Sequence, residues 1–566
     1  MESDFLTKGQ LLAIEQLSDI ASVSNGAIEI VELTPPSSQG ASMMARLSWA
    51  AGEYEKAVGG FAFRKREPLI IYIPSRFPIA VPSANFMHTR FMGQPHVQWV
   101  NHLCLYQATD VEWTANDGMF GFIKRLNQWL QDAALNQLDP NDAPLHPPIA
   151  YTSIDQKKLS IEVDPPEILE DKSYWIGTAK LTKRNNICFD LTEWDNLPGT
   201  LPEGERYAAA LLLNQPMPME YPDTVLKLIS ALQERGIPFE LLFSILKIFS
   251  LCQQENEPLY FVLGAPMRRR ASGEPLKQHL SAWSIEPKYV AALRGIVRDQ
   301  TTDEAEESWK NVLEWATEAK TEWCRVYENR PEVTFRRDKG TSANWFIGKS
   351  IALLGCGAIG SHIGEYVVRA GATKVQLVDN STVNPGILVR QQFENWQVGY
   401  TKQSALKLEL AAINPKADID HLYADLKEGW PSSLTVGEFD LIIDATASRR
   451  VAAALQLAFE TVENIPPILR STISGHASHG IATLKMKNSQ FGPADIIRQT
   501  KLVASSKEEL YTFSKAFWPK EQLQPGFQPE PGCSEPTFVG SAADVAFFAS
   551  SFFCFAADAI TSVPNG

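Results

Sequence analysis

Residues Ile351–Gln391 read IALLGCGAIGSHIGEYVVRAGATKVQLVDNSTVNPGILVRQ, and no other stretch constrains the fold as tightly. A short apolar run leads into Gly355, Gly357 and Gly360, spaced G-x-G-x-x-G. A helical pattern follows, and KVQLVD then forms a second apolar run ending at Asp379. Glycines at this spacing permit a tight turn and let backbone N–H groups and a helix N-terminus approach a phosphate. Asp379 is placed to accept a hydrogen bond from a ribose hydroxyl. The segment therefore predicts a strand–turn–helix–strand unit that holds an adenine nucleotide. By itself it does not separate a dinucleotide from ATP.

The residues that follow separate them. Arg390 stands in LVRQQF and Lys402 in VGYTKQ, and FDLIIDATASRR supplies a third apolar strand ending at Asp444. Two cations and two carboxylates at the C-terminal ends of parallel strands suit a triphosphate with Mg2+. The cations meet phosphate charge and a carboxylate meets the metal. An NAD-dependent dehydrogenase needs no such set. Taken singly, Arg390 and Lys402 read as surface cations and Asp444 as a strand-end cap.

On these landmarks, with ILRSTISGHASHGIATL and GCSEPTFVGSAADVAFFASSFFCFAADAI further on, Ile351–Ile560 resembles the adenylation domain of the ubiquitin-activating, ThiF and MoeB superfamily. The resemblance implies ATP and Mg2+ as cofactors. It implies that Asp379 holds the ribose, Arg390 and Lys402 the phosphates, and Asp444 the metal. Arg330, in YENRP, matches an upstream arginine that reaches the phosphates in that family, often in the partner subunit. Ile387 departs from the family's usual asparagine, and Ala447 and Ser448 from its usual Asp-Asn. The zinc-binding cysteine pairs of the family are absent, so no structural zinc is expected.

Adenylating a carboxylate creates a reactive anhydride, which enzymes of this type pass to a thiolate. Of seven cysteines, Cys533 lies in the Pro/Gly-rich QPEPGCSEPTF, and the resemblance implies that it is the nucleophile. Cys554 in SSFFCFAAD is expected in the core, Cys356 in the phosphate turn, and Cys188, Cys252 and Cys324 as packing residues.

GQPHVQWVNHLCLYQATDVEWTANDG holds a second thiol, Cys104, eight residues beyond His96 and nine before Trp113. With PLIIYIPSRFPIAVPSANF before it and FIKRLNQWLQDAALNQLDPNDAPL after it, this region resembles ubiquitin-conjugating enzymes over roughly residues 10–148. His96 replaces the family's active-site asparagine. Imidazole can donate an equivalent hydrogen bond to an oxyanion, can help deprotonate an incoming amine, or can be a plain turn residue. His102 is a further candidate, and Trp113 reads as packing.

These observations predict a multidomain α/β chain. Residues 1–150 form an N-terminal α+β ubiquitin-conjugating-like domain, 151–327 a mixed α/β linker domain, and 328–566 a C-terminal doubly wound, Rossmann-like adenylation domain. In the linker, strands are expected at Tyr207–Asn214 and Pro258–Met267 and a helix at Asp223–Gly236. Whether it is a degenerate adenylation fold or a structural linker stays open. The order of modules resembles the fused ubiquitin-transferase-like proteins of CBASS anti-phage operons. That resemblance implies adenylation of the C-terminal glycine of a cGAS-like nucleotidyltransferase (a CD-NTase), thioester relay from Cys533 to Cys104, transfer to a target lysine, and a homodimer.

The net charge of −14 provides no general reason to expect nucleic acid as a partner. The start lacks a basic and apolar signal peptide, and the apolar Val545–Ile560 run reads as a buried helix, so a cytoplasmic protein without a membrane span is expected. Two rivals remain: a sulfur-carrier adenylyltransferase, which has no use for Cys104, and a non-catalytic nucleotide-binding scaffold.

Overall fold

The computed structural model describes residues 5–91, 94, 96–98, 101–138, 157–169, 171–197, 205–215, 222–252, 256–266, 278–298, 305–329, 334, 340–426, 436–519 and 538–562. Cys533, Arg330, Pro95 and residues 139–150 of the proline-rich stretch lie outside them. The chain divides into two compact units, Met1–Arg330 and Pro331–Gly566.

The first unit opens with a helix, Lys8–Val23, whose N-terminal donors are satisfied by a capping box between Thr7 and Gln10. Strands β1 (Ile28–Thr34), β2 (Met43–Ala50), β3 (Arg66–Ile73), β4 (Ser83–Phe86), β5 (Val97–Gln98) and β6 (His102–Leu103) form an antiparallel sheet in the order β1-β2-β3-β4-β6-β5. MMARLSWA and REPLIIYI alternate strictly between buried and half-buried residues, so one face of the sheet meets the core. The helix Gly118–Ala134 contributes Phe122, Leu126, Trp129 and Leu130 to that core.

Strands β7 (Lys158–Ile161), β8 (Tyr174–Lys183), β9 (Cys188–Asn196), β10 (Tyr207–Leu213), β11 (Leu259–Pro266), β12 (Gln278–Ile285) and β13 (Thr321–Glu328) close into a barrel in the order β10-β11-β12-β13-β7-β9-β8. Closure explains the unbroken apolar run YAAALLL. Ala208, Ala210 and Leu212 belong to one core with Leu159, Leu191 and Val262 of other strands. Tyr207, Ala209, Leu211 and Leu213 belong to another, shared with the helices Val225–Gln233 and Phe239–Cys252. A strand buried on both faces loses the polar alternation of a half-exposed one. The pairing here is mixed and the sheet closed, unlike the open doubly wound sheet of a degenerate adenylation fold.

The second unit holds β14 (Ser350–Leu354), β15 (Lys374–Asp379), β16 (Asp418–Tyr423), β17 (Leu441–Asp444), β18 (Ile468–Ile473) and β19 (Gly480–Lys485), ordered β16-β15-β14-β17-β18-β19. All neighbours are parallel except β18 and β19. Ile351 and Leu353 face one core with the helices Ala358–Arg369, Lys402–Ile413 and Ala542–Ser562. Ala352 and Leu354 face another with the helix Arg449–Thr461. Helices on both faces make the sheet doubly wound, as expected. The chain runs outward from β14 to β16 and then returns to β17 on the other side. Such a reversal opens a crevice at the strand C-termini.

The helix Ala542–Ser562 departs from expectation. At 21 residues it is long and apolar enough to cross a membrane by length and composition. Val545, Ala549, Phe552 and Ala556 are buried, but Phe547 and Phe555 are exposed, and so is Cys554, which was expected in the core. A helix apolar on all sides does not reveal in its sequence which side packs. Cys252 is also exposed, as the last residue of its helix, whereas Cys188 and Cys324 are buried.

Candidate functional site

The glycine turn lies at the crevice between β14 and β17. Gly355 has φ +86°, and a Cβ there would stand 3.0 Å from the Thr446 backbone nitrogen. At Gly360 a Cβ would fall 1.8 Å from the carbonyl oxygen of Gly355, so only glycine lets the helix pack on the turn. Gly357 precedes the helix Ala358–Arg369, and a Cβ there would meet nothing within 4 Å. The space over the middle of the turn is therefore open, on the side where a helix N-terminus presents unpaired donors.

Asp379 closes the turn from β15. Its Oδ2 accepts from the Cys356 backbone N–H at 2.7 Å, and its Oδ1 accepts from the Ser381 N–H and hydroxyl at 2.8 and 2.5 Å. Three of roughly four acceptor sites are thus taken, leaving one for a ribose hydroxyl. Cys356 is fully buried, and burial first, then Asp379, pushes its thiol well above the ordinary range. It is an inert small residue of the turn.

Lys402 starts the helix Lys402–Ile413 and is only 7% exposed. It lies within electrostatic reach of Cys356. Its ammonium has no hydrogen bond or ion pair among the described residues. Burying a cation without a counter-ion is costly unless an anion completes the site. Arg390 is engaged otherwise: its guanidinium donates to the Phe538 carbonyl at 2.7 Å and lies 5.2 Å from that ring's centre.

Asp444, 1% exposed at the end of β17, is enclosed by protein donors. Oδ1 accepts from the N–H and hydroxyl of Thr446 at 3.0 and 2.6 Å, and Oδ2 accepts from Arg470 Nε at 3.0 Å. Three of roughly four acceptor sites are taken, as at Asp379, and the guanidinium competes with Mg2+ for the remaining lone pair of Oδ2. Sequence reasoning also missed Arg470. A lone cation inside the apolar ILRSTI was the signal that marks it.

In the first unit, Cys104 is half-buried between the buried Leu103 and Leu105. Its N–H donates to the His96 carbonyl at 2.9 Å, and its Sγ lies 3.7 Å from the Tyr106 carbonyl. His96 has φ +60°, a left-handed conformation that asparagine and histidine adopt more readily than most residues. This is a backbone reason for the exchange of one for the other. Arg125 Nε donates to the Leu105 carbonyl at 2.6 Å and pins the irregular segment beyond the thiol. Burial pushes the Tyr106 hydroxyl up to about 12, opposed by Arg125 and reinforced by Glu112 and Asp117. Trp113 donates to the Pro78 carbonyl and packs near Phe77 and Tyr106. His102 faces β4 through Asn85 Oδ1 at 3.3 Å, and burial lowers its pKa.

Two separate centres therefore sit on one chain, an anion-ready nucleotide crevice and a thiol behind a left-handed histidine. Residues 13–167 match the Prokaryotic E2 family A, and residues 347–492 match the ThiF family. The chain is similar to two proteins named ATP-dependent ubiquitin transferase-like protein Cap2. The one from Pseudomonas aeruginosa (strain BWHPSA011 / Pa011) is 35% identical over 103 residues, 18% of each chain. The one from Enterobacter hormaechei subsp. hoffmannii (strain UCI 50) is 24% identical over 244 residues, 42% of this chain and 39% of the relative. The matched stretches thus span well under half of either relative. Among solved structures, E. coli MccB with AMPCPP and MccA aligns at 17% identity and a TM-score of 0.27, over 39% of this chain and 58% of that one. The E2-like fold and the ThiF-type Rossmann fold are thus in the order that the sequence predicts.

Proposed function

We propose that this chain is an ATP-dependent ubiquitin-transferase-like enzyme. It adenylates the C-terminal glycine of a protein partner, carries the acyl group as a thioester, and conjugates it to a target lysine from Cys104. The observation that carries the reading is the pairing of a buried Lys402, without a counter-ion beside the glycine turn, with a half-buried Cys104 in an E2-like domain on the same chain. A sulfur-carrier adenylyltransferase has no use for the second centre, and a nucleotide-binding scaffold, which would use Lys402, has no use for the half-buried thiol. Cys533 is the intermediate thiol in this reading, and Arg330 a further phosphate contact. Mg2+ would neutralise the phosphates when bound, with Asp444 the carboxylate the resemblance assigns to it and Arg470 competing for the same oxygen.

The relatives' printed name supports the transferase chemistry; the defence role, a cGAS-like CD-NTase as partner and a cytoplasmic reaction extend this reading from the order of the two modules. Pairing of two copies belongs to the same reading. Pyrophosphate exchange with ATP, measured with and without a glycine-terminated partner, tests the first step. A thioester band on a non-reducing gel tests the second. Exchange without any thioester would favour sulfur chemistry, and no exchange at all would leave a scaffold.

His96 yields a separate expectation within this reading. His96→Asn keeps both the left-handed backbone and a donor, so most of the transfer from Cys104 to lysine should remain. His96→Ala loses the donor and also strains the backbone, whereas His96→Gly loses the donor alone. Both should slow transfer by roughly 10²-fold if His96 serves the oxyanion. Single-turnover discharge to lysine checks this. A Gly variant as fast as wild type would reduce His96 to a turn residue, and an Asn variant as slow as Gly would make it a general base.

A further inference from the structure

We propose that Arg470 binds the nucleotide's phosphates and that Asp444 serves to hold it there; this rests on the crevice being an ATP site. In register, Leu354 lies opposite Asp444 and Asp444 opposite Arg470. Arg470 is therefore two strands from the residue that leads into Gly355, roughly 10 Å between backbones. Asp444 links the two, because Thr446, which touches Gly355, donates to Oδ1 while Arg470 donates to Oδ2.

That linkage uses only one of the guanidinium's five N–H donors. The donors on its two terminal nitrogens have no hydrogen bond among the described residues, and the side chain remains 18% exposed. They lie at the C-terminal edge of the parallel strands, where ligands of such sheets bind. The charge accounting points the same way. A triphosphate needs several cations, and Arg470 would add to Lys402 and to Arg390, one of whose guanidinium N–H groups is given to the Phe538 carbonyl. An ion pair that served only stability would be an expensive choice within an apolar strand, because apolar residues do as well there. A pair that fixes a guanidinium with free donors toward an anion has a use.

Removing Arg470 alone would strand a buried carboxylate and risk the fold, so the test removes both charges. The full chain is titrated calorimetrically with α,β-methylene-ATP and with adenosine, in Mg2+ and in EDTA. Arg470→Met combined with Asp444→Asn should weaken the analogue by roughly 10- to 100-fold, the value of charged hydrogen bonds, and leave adenosine unchanged. Arg470→Lys, which keeps the charge and loses the fork, should recover part of the loss. Asp444→Asn alone should cause a smaller loss, equal in Mg2+ and EDTA. Analogue binding by the double variant equal to wild type would overturn the proposal, and so would an equal loss of adenosine. An Asp444→Asn effect confined to Mg2+ would make Asp444 a metal ligand and overturn its holding role. If wild type binds adenosine but not the analogue, the ATP reading falls instead.

Discussion

Gly360→Ala is expected to abolish nucleotide binding and to lower thermal stability, while Gly357→Ala is expected to abolish binding at a much smaller loss of stability. The two glycines belong to one motif but meet different neighbours. A methyl at position 360 would overlap the backbone carbonyl of Gly355 at 1.8 Å, and backbone cannot rotate out of the way as a side-chain tip can. The helix Ala358–Arg369 must then lift from the turn, at a cost of about 1–3 kcal/mol or more. At position 357 the same methyl meets no protein atom within 4 Å, and φ −81° with ψ −149°, about 30° beyond the extended region, strains alanine only modestly. It would occupy the space a phosphate needs while leaving the fold undisturbed. Calorimetric ATP titration and thermal unfolding of both variants check this. A Gly357→Ala variant that binds ATP normally would place the phosphates away from the turn.

Cys533→Ala is expected to leave ATP–pyrophosphate exchange intact and remove thioester formation at both thiols. Cys104→Ala is expected to leave the Cys533 thioester and remove only lysine conjugates. In the proposed relay the anhydride forms at the crevice of the second unit, and a first thiol of that unit receives the acyl group before Cys104 of the first unit. No cysteine described in that unit suits the task. Cys356 is fully buried, with its thiol pushed far up, and Cys554 lies on the helix Ala542–Ser562 rather than in the turn. Cys533, in its Pro/Gly-rich stretch, is the remaining candidate. Non-reducing gels of both variants, charged with a glycine-terminated partner and ATP, check the order. Normal charging of Cys104 in Cys533→Ala would mean direct transfer from the adenylate.

The sequence by itself determined the elements whose signals are local. Three glycines at G-x-G-x-x-G, an apolar run ending in Asp379 and another ending in Asp444 specify strands, a turn and a helix through backbone sterics and hydrophobic periodicity, both readable over a few residues. The strands at Tyr207–Leu213 and Leu259–Pro266 and the helix Val225–Gln233 were legible for the same reason. Cys104 and His96 were singled out by the resemblance to ubiquitin-conjugating enzymes, a likeness that the family match over residues 13–167 supports, and the left-handed backbone of His96 supplies a cause for the substitution found there. Tertiary structure decided what depends on partners distant in sequence. Closure of the barrel joins β8 to β10 and β13 to β7, pairings that no local pattern encodes. The commitment of Arg390 to Phe538 spans 148 residues and that of Asp444 to Arg470 spans 26. A carboxylate at a strand end looks the same in sequence whether it awaits a metal or already holds a guanidinium. Only the fold, by setting β17 beside β18, brings Arg470 to this one.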